Sequence, residues 1–105
     1  MRSLAILTSL LLFVVESSAG AQQAGDPGAG ASYAKQLCAK CHAIEGTDAS
    51  PNRKAPRFRD VANTPGMTAT ALTVWLKTSH PTMPNIVIEQ TDMDNVIAFI
   101  LSLKE

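Results

Sequence analysis

Two cysteines are all the thiol chemistry in this chain of 105 residues, and one short disulfide is the most they can form with each other. Only two histidines accompany them. A tetrahedral zinc site needs four ligands, and His42 and His80 stand far from zinc-finger spacing. An excess of one charge is lacking too: nine basic residues balance nine acidic ones, so no global field points to nucleic acid or an anionic membrane surface. No segment alternates as a strand does, Val87-Ile88 being too short, and no βαβ frame is visible that would suit a thioredoxin-like redox pair. The chain has no repeat, no block of like charge, and no spare Ser, Cys or carboxylate pair arranged for catalysis. The expectation is a protein that is not an enzyme.

The longest apolar run falls short of a membrane span. Residues 4–15 make 12 nearly unbroken apolar positions, against the ~20 that cross a bilayer comfortably as a helix. Met1-Arg2-Ser3 supplies a positive start, Glu16 ends the run, and Ala19-Gly20-Ala21 offers small residues where a signal peptidase reads. Charged start, apolar middle and small-residue exit make a secretory signal peptide, cleaved near Ala21. The short run and good exit favour removal over an uncleaved anchor or a buried core helix. The expected organisation is a signal peptide at 1–21, a flexible leader at 22–30 and one domain at 31–105. Cleavage leaves 84 residues with eight basic and eight acidic side chains. No stable membrane insertion is expected, and the product belongs in the periplasm. So small a domain has a thin core and needs a staple, whether disulfides, a metal or a cofactor.

Four helical patches follow. Tyr33, Ala34, Leu37, Cys38 and Cys41 share one face, and Phe58, Val61 and Ala62 suggest a short turn after Pro56. Leu72, Trp75 and Leu76 make a face started by Thr68 or Thr70 and stopped before Pro81. Met93, Val96, Ile97, Ile100 and Leu101 make the cleanest pattern; Thr91 is placed to cap it, and Asp92 and Asp94 suit its positive end. The fold class is all-α, with irregular loops over 43–67 and 79–90.

Cys38-Ala39-Lys40-Cys41-His42 is the decisive stretch. Cysteines three apart on one helical turn project to one side, where their thiols can add to the two vinyl groups of a haem and become thioethers. His42 follows at once, which delivers its imidazole to the iron as the proximal ligand. A plain disulfide accounts for the cysteines but leaves His42 a coincidence. The second ligand is expected from His80-Pro81-Thr82-Met83-Pro84-Asn85. A thioether is a soft, neutral ligand, and Met83 sits between two prolines that deny the segment a helix. A methionine more often packs in a core, a role that suits Met67 and Met93. His80 is the rival ligand and implies a bis-histidine iron of lower potential, or else it caps the preceding helix.

The sequence resembles the class I monohaem bacterial cytochromes c over residues 30–103, on CAKCH, the TMPN loop and the closing helix DMDNVIAFILSL. That resemblance implies about four helices wrapped around one covalently bound haem c. It also implies a crossing of the first and last helices beside the haem, with Gly30 and Phe99 near it. Where the family usually has an aromatic, four residues before the first Cys, this chain has Ala34, with Tyr33 one place earlier. The resemblance further implies a proline carbonyl that accepts from the second nitrogen of the ligand histidine; Pro56 matches best and Pro51 is the alternative. Trp75 resembles a tryptophan that meets a haem propionate, although packing with Leu72 and Leu76 explains it equally well. Arg53, Lys54, Arg57 and Arg59 form the one basic cluster. It suits propionates, an acidic partner, or simply a solvated loop.

The function expected is a periplasmic single-electron carrier, a monomer, with His42 and Met83 on the iron and Cys38 and Cys41 on the haem. Its partners are redox proteins: a periplasmic dehydrogenase, a cytochrome bc-type complex or a terminal oxidase. The alternatives are an electron-accepting subunit of a periplasmic dehydrogenase, or a small-gas-binding or peroxidase-like haem protein in which Met83 is not a stable ligand.

Overall fold

The computed structural model describes residues 25–46, 48–78 and 82–105. The segment read as a signal peptide, residues 22–24 of the leader, and His80 lie outside the described residues. Among the described residues the chain forms four α-helices: α1 (Pro27–Leu37), α2 (Phe58–Ala62), α3 (Ala69–Lys77) and α4 (Gln90–Ser102). A 3-10 turn, Cys38–Lys40, continues α1, and no strand is present among these residues. The fold is all-α, as the helical spacing requires.

The last helix organises the core. Met93, Val96, Ile97 and Ile100 repeat at helical spacing and are all buried, with Phe99 and Ala98 widening the stripe. Val96 is the most enclosed large side chain, at 1 % exposure; burying such a side chain is worth roughly 1.5–3 kcal/mol. Helix α1 makes the most extensive packing against α4, and α2 and α3 lie against other parts of it. Thr68 starts α3, its hydroxyl accepting the N–H of Ala71 at 3.1 Å. Thr91 does not cap α4: Glu89 takes the N-cap position with extended backbone and no side-chain bond, and Thr91 lies inside the first turn.

Helix α1 begins earlier than its composition suggests. Residues 27–30 fall in the stretch read as a flexible leader, yet they form the first turn of the helix. Pro27 stands at its start, where a missing N–H does no harm and φ is already helical. Asp26 caps the turn, its carboxylate accepting the N–H of Gly28 at 2.8 Å, while its own N–H donates to Asn95 Oδ1 at 2.8 Å. The helix entry is thereby tied to α4. Gly30 then meets α4 so closely that a Cβ on it would overlap the Asn95 carbonyl and stand 2.9 Å from Phe99 Cβ. Ala34, one turn on, is wholly buried. Small residues at both levels let the two backbones approach, which fits the crossing near Gly30 and Phe99 implied by the resemblance.

Candidate functional site

The chain tightens at the point where the chemistry sits. Leu37 ends α1, and Cys38–Lys40 turns with the 3-10 repeat, in which residues i and i+3 eclipse. The carbonyl of Cys38 accepts two N–H groups, that of Cys41 at 3.1 Å and that of His42 at 2.9 Å. Cys38, Cys41 and His42 are therefore gathered on one turn. Both cysteines are half-buried and form no disulfide with each other, and before any haem is attached burial pushes the Cys38 thiol above its ordinary pKa.

His42 is held from two directions. Its Nδ1 lies 2.6 Å from the carbonyl oxygen of Pro56. A carbonyl can only accept, so Nδ1 carries the proton and Nε2 keeps the lone pair. The ring of Phe58 lies 5.2 Å from that of His42, centroid to centroid, and Phe58 in turn lies 6.2 Å from Phe99 of α4. One aromatic chain thus links the imidazole to the core helix.

The loop between His42 and α2 is built around this clamp. Asn52 N–H returns to the Cys41 carbonyl at 3.1 Å, and Phe58 N–H to the Ala43 carbonyl at 2.9 Å. The Ser50 hydroxyl accepts the Ala43 N–H at 3.0 Å. Pro56 ends the loop at the height of the imidazole, and Pro51, the other proline considered, lies exposed on its surface.

Cys38, Cys41, His42 and Pro56 come together; the remaining candidates lie on other elements. Met83 is half-buried on the irregular segment 82–89. Trp75 on α3 is 55 % exposed, while Leu72 and Leu76 of the same helix contribute to the core. Met93 is buried in the core, and Met67 packs against its edge. Two members of the basic cluster are ion-paired. Arg57 forks onto Asp60 at 2.7 and 2.8 Å, and the hydrogen bond holds the Asp60 carboxyl below its usual pKa. Arg59 pairs with Glu105. Among the described residues Arg53 and Lys54 carry no ion pair. Tyr33 has its phenol pKa raised by burial and then by the carboxylate of Asp92, Cys38 and the carboxylate of Glu89.

Phe58 and Ser50 are the site's unforeseen members. Phe58 was legible as an apolar helical position, not as the backing of His42. Ser50 carries no local signal beyond standing before Pro51.

Whether these side chains suit a haem is a question of donor chemistry. Two unjoined thiols stand one tight turn apart, followed by an imidazole whose Nε2 lone pair is left available by the Pro56 bond. No group of three or more His, Cys, Asp or Glu side chains is gathered to hold a bare metal ion among the described residues. A porphyrin brings its own equatorial nitrogens and asks the chain only for axial ligands. The donor set fits.

The comparisons with known proteins agree with that chemistry. A family model described as Cytochrome c matches residues 28–104. Among curated proteins the chain is similar to cytochrome c-552 of Bradyrhizobium diazoefficiens (strain USDA 110), 34% identical over 94 residues that cover 90% of each chain. No solved structure matches. No helix among the described residues is long and apolar enough to cross a membrane. With the family pattern running through nearly all of the helical domain, the chain belongs to the cytochrome c family, as a single-haem electron carrier of the bacterial class I type with covalently bound haem c.

Proposed function

We propose that the chain is a periplasmic single-electron carrier whose iron lies between His42 and Met83, with Cys38 and Cys41 as its thioether anchors. The clamp on His42 supports this reading best: Nδ1 is engaged 2.6 Å from the Pro56 carbonyl, which leaves Nε2 as the ligating nitrogen. When bound, haem c supplies an iron that changes by one electron between ferric and ferrous. The rest is the work of side chains. Pro56 fixes the tautomer of His42 and raises its basicity, and Phe58 packs beside the ring. Cys38 and Cys41 anchor the group in a domain with little core to spare for holding it by packing alone. Met83 offers a soft, neutral sulfur that favours ferrous iron. If His42 and Met83 both held the iron, the chain's own side chains would leave it no site for a substrate. The partners are redox proteins that approach the domain from solution: a dehydrogenase, a bc-type complex or a terminal oxidase.

The absorption spectrum tests this. The oxidised protein is expected to show a weak near-infrared sulfur-to-iron band, and the reduced protein no change under carbon monoxide. A missing band together with a carbon monoxide adduct shifts the reading to a gas-binding or peroxidase-like protein.

The proposed organisation has its own check. The short apolar run and Ala19-Gly20-Ala21 place the mature N-terminus at Gln22 or within a few residues of it. N-terminal sequencing of the native protein from a periplasmic extract is expected to return that start. A sequence beginning upstream of Glu16, recovered from membranes, overturns it.

A further inference from the structure

We propose that Ser50 is a positioning residue for the imidazole of His42, acting through the peptide that joins His42 to Ala43; the proposal rests on the reading of His42 as an iron ligand. Ser50 is the one polar residue buried with the core among the described residues, at 9 % exposure. Its hydroxyl accepts the N–H of Ala43 at 3.0 Å. Ala43 lies in no helix, so this side chain satisfies a donor that a helical ladder would otherwise satisfy. The carbonyl of the same Ala43 accepts from Phe58 N–H at 2.9 Å. The residue after His42 is therefore held at both its polar groups, and the residue before it by Asn52 at 3.1 Å.

These bonds determine where the imidazole points. The Ala43 N–H belongs to the peptide that leaves His42, so the Ser50 bond, with those of Phe58 to Ala43 and Asn52 to Cys41, pins the backbone on both sides of the Cα that carries the ring. Holding it steady holds the ring at the Pro56 carbonyl, where the 2.6 Å separation is at the short limit of N–H···O bonds and is sensitive to small turns. Pro51 presets the anchor: the residue before a proline is confined to extended backbone, which narrows the positions its hydroxyl can take. A strong Nδ1–H···O bond makes the imidazole more basic and favours ferric iron, so a looser bond raises the reduction potential. Ser50 thus tunes the potential without touching the ligand.

The test uses the haem-loaded protein, its Ser50→Ala and Ser50→Thr variants, and ¹⁵N-labelled histidine. In Ser50→Ala the Ala43 amide and the His42 Nδ1–H are both expected to exchange about tenfold faster or more, as loss of a buried donor's partner implies. The potential rises and the axial-ligand spectrum stays. Ser50→Thr restores both exchange rates and the potential. If Ser50→Ala lowers only the melting temperature and leaves the ring proton and the potential where they were, Ser50 is structural and the proposal falls. The unaltered protein gives a second check independent of any variant: the two hydrogens should open together, within about a factor of three, as members of one cooperative unit. A ring proton about a hundredfold faster than the Ala43 amide overturns the link. Failure of the underlying reading looks different. Absence of hyperfine-shifted His42 ring signals in the ferric protein removes His42 from the iron, whereas their presence beside an unresponsive Ser50→Ala removes only Ser50.

Discussion

Valine in place of Gly30 collapses the crossing of α1 and α4, and the protein melts at least about 10 °C below its parent. The obstacle is backbone rather than a side chain that can swing away: a Cβ at this position overlaps the Asn95 carbonyl and comes within 2.9 Å of Phe99 Cβ. Overpacking a core costs typically ~1–3 kcal/mol when neighbours yield, and the Asn95 peptide lies inside a helix and has little room to yield. Relief requires the helices to separate, which strips Ala34, Val96 and Phe99 of their packing. A domain of this size loses roughly 4–8 °C per kcal/mol. Gly46→Ala is the matched control. Gly46 has φ +68° with open space around its Cα, so alanine there adds only backbone strain of about 1–2 kcal/mol. Thermal unfolding followed by circular dichroism should place Gly30→Val below Gly46→Ala. A Gly30→Val protein as stable as Gly46→Ala would show that the crossing tolerates separation and that Gly30 serves some other end.

The same crossing explains what could and could not be read from the chain. The core face of α4 was legible, because Met93, Val96, Ile97 and Ile100 follow the helical period and end buried, with Leu101 half-buried at its edge. The start of α3 was legible to within two threonines, Thr68 and Thr70, because a capping hydroxyl acts locally, and Thr68 is the one that caps. Pro27-Gly28-Ala29-Gly30 reads as a loop by propensity, since each glycine inside a helix is unfavourable by roughly 1 kcal/mol against alanine. Helix there is decided by contacts from the far end of the chain: Asn95 receives the Asp26 N–H, and α4 accepts only a glycine at position 30. Nothing within a few residues announces either. The site divides in the same way. The spacing of Cys38, Cys41 and His42 is local and was plain. The pairing of Arg57 with Asp60 is local too, at i and i+3, whereas that of Arg59 with Glu105 spans the domain. Ser50 was invisible because its role depends on how the loop folds back on Ala43. Trp75 sits on α3, as its spacing required.

Met83→Ala should abolish the near-infrared band, admit carbon monoxide to the ferrous protein and lower the reduction potential, by about a hundred millivolts or more within the ~0.8 V span that axial ligands command. Beyond the start methionine the chain has Met67, Met83 and Met93. Met93 is 3 % exposed on the core face of α4, so withdrawing it toward a ligand position would leave a cavity among Val96 and Ile97, at about 2–5 kcal/mol for a vacated side chain of that size. Met67 packs at the core edge just before α3, and its backbone carbonyl is held by Lys104 Nζ at 2.7 Å. Met83 is half-buried outside the helices, and it alone of the three has a proline, Pro84, directly after it. Its sulfur can serve the iron without dismantling a helix. On the proposed ligation, alanine at this position would remove a soft, neutral ligand that favours the ferrous state, and the potential would fall because ferrous iron loses more than ferric. The side chain is outside the main core, so the melting temperature should fall much less than in Gly30→Val, which separates loss of ligation from loss of fold. His80→Ala is the companion variant and should leave the band, the potential and the carbon monoxide response nearly unchanged. If His80→Ala alters the iron spectrum while Met83→Ala does not, the axial pair is two histidines, and a low-potential carrier replaces the high-potential one.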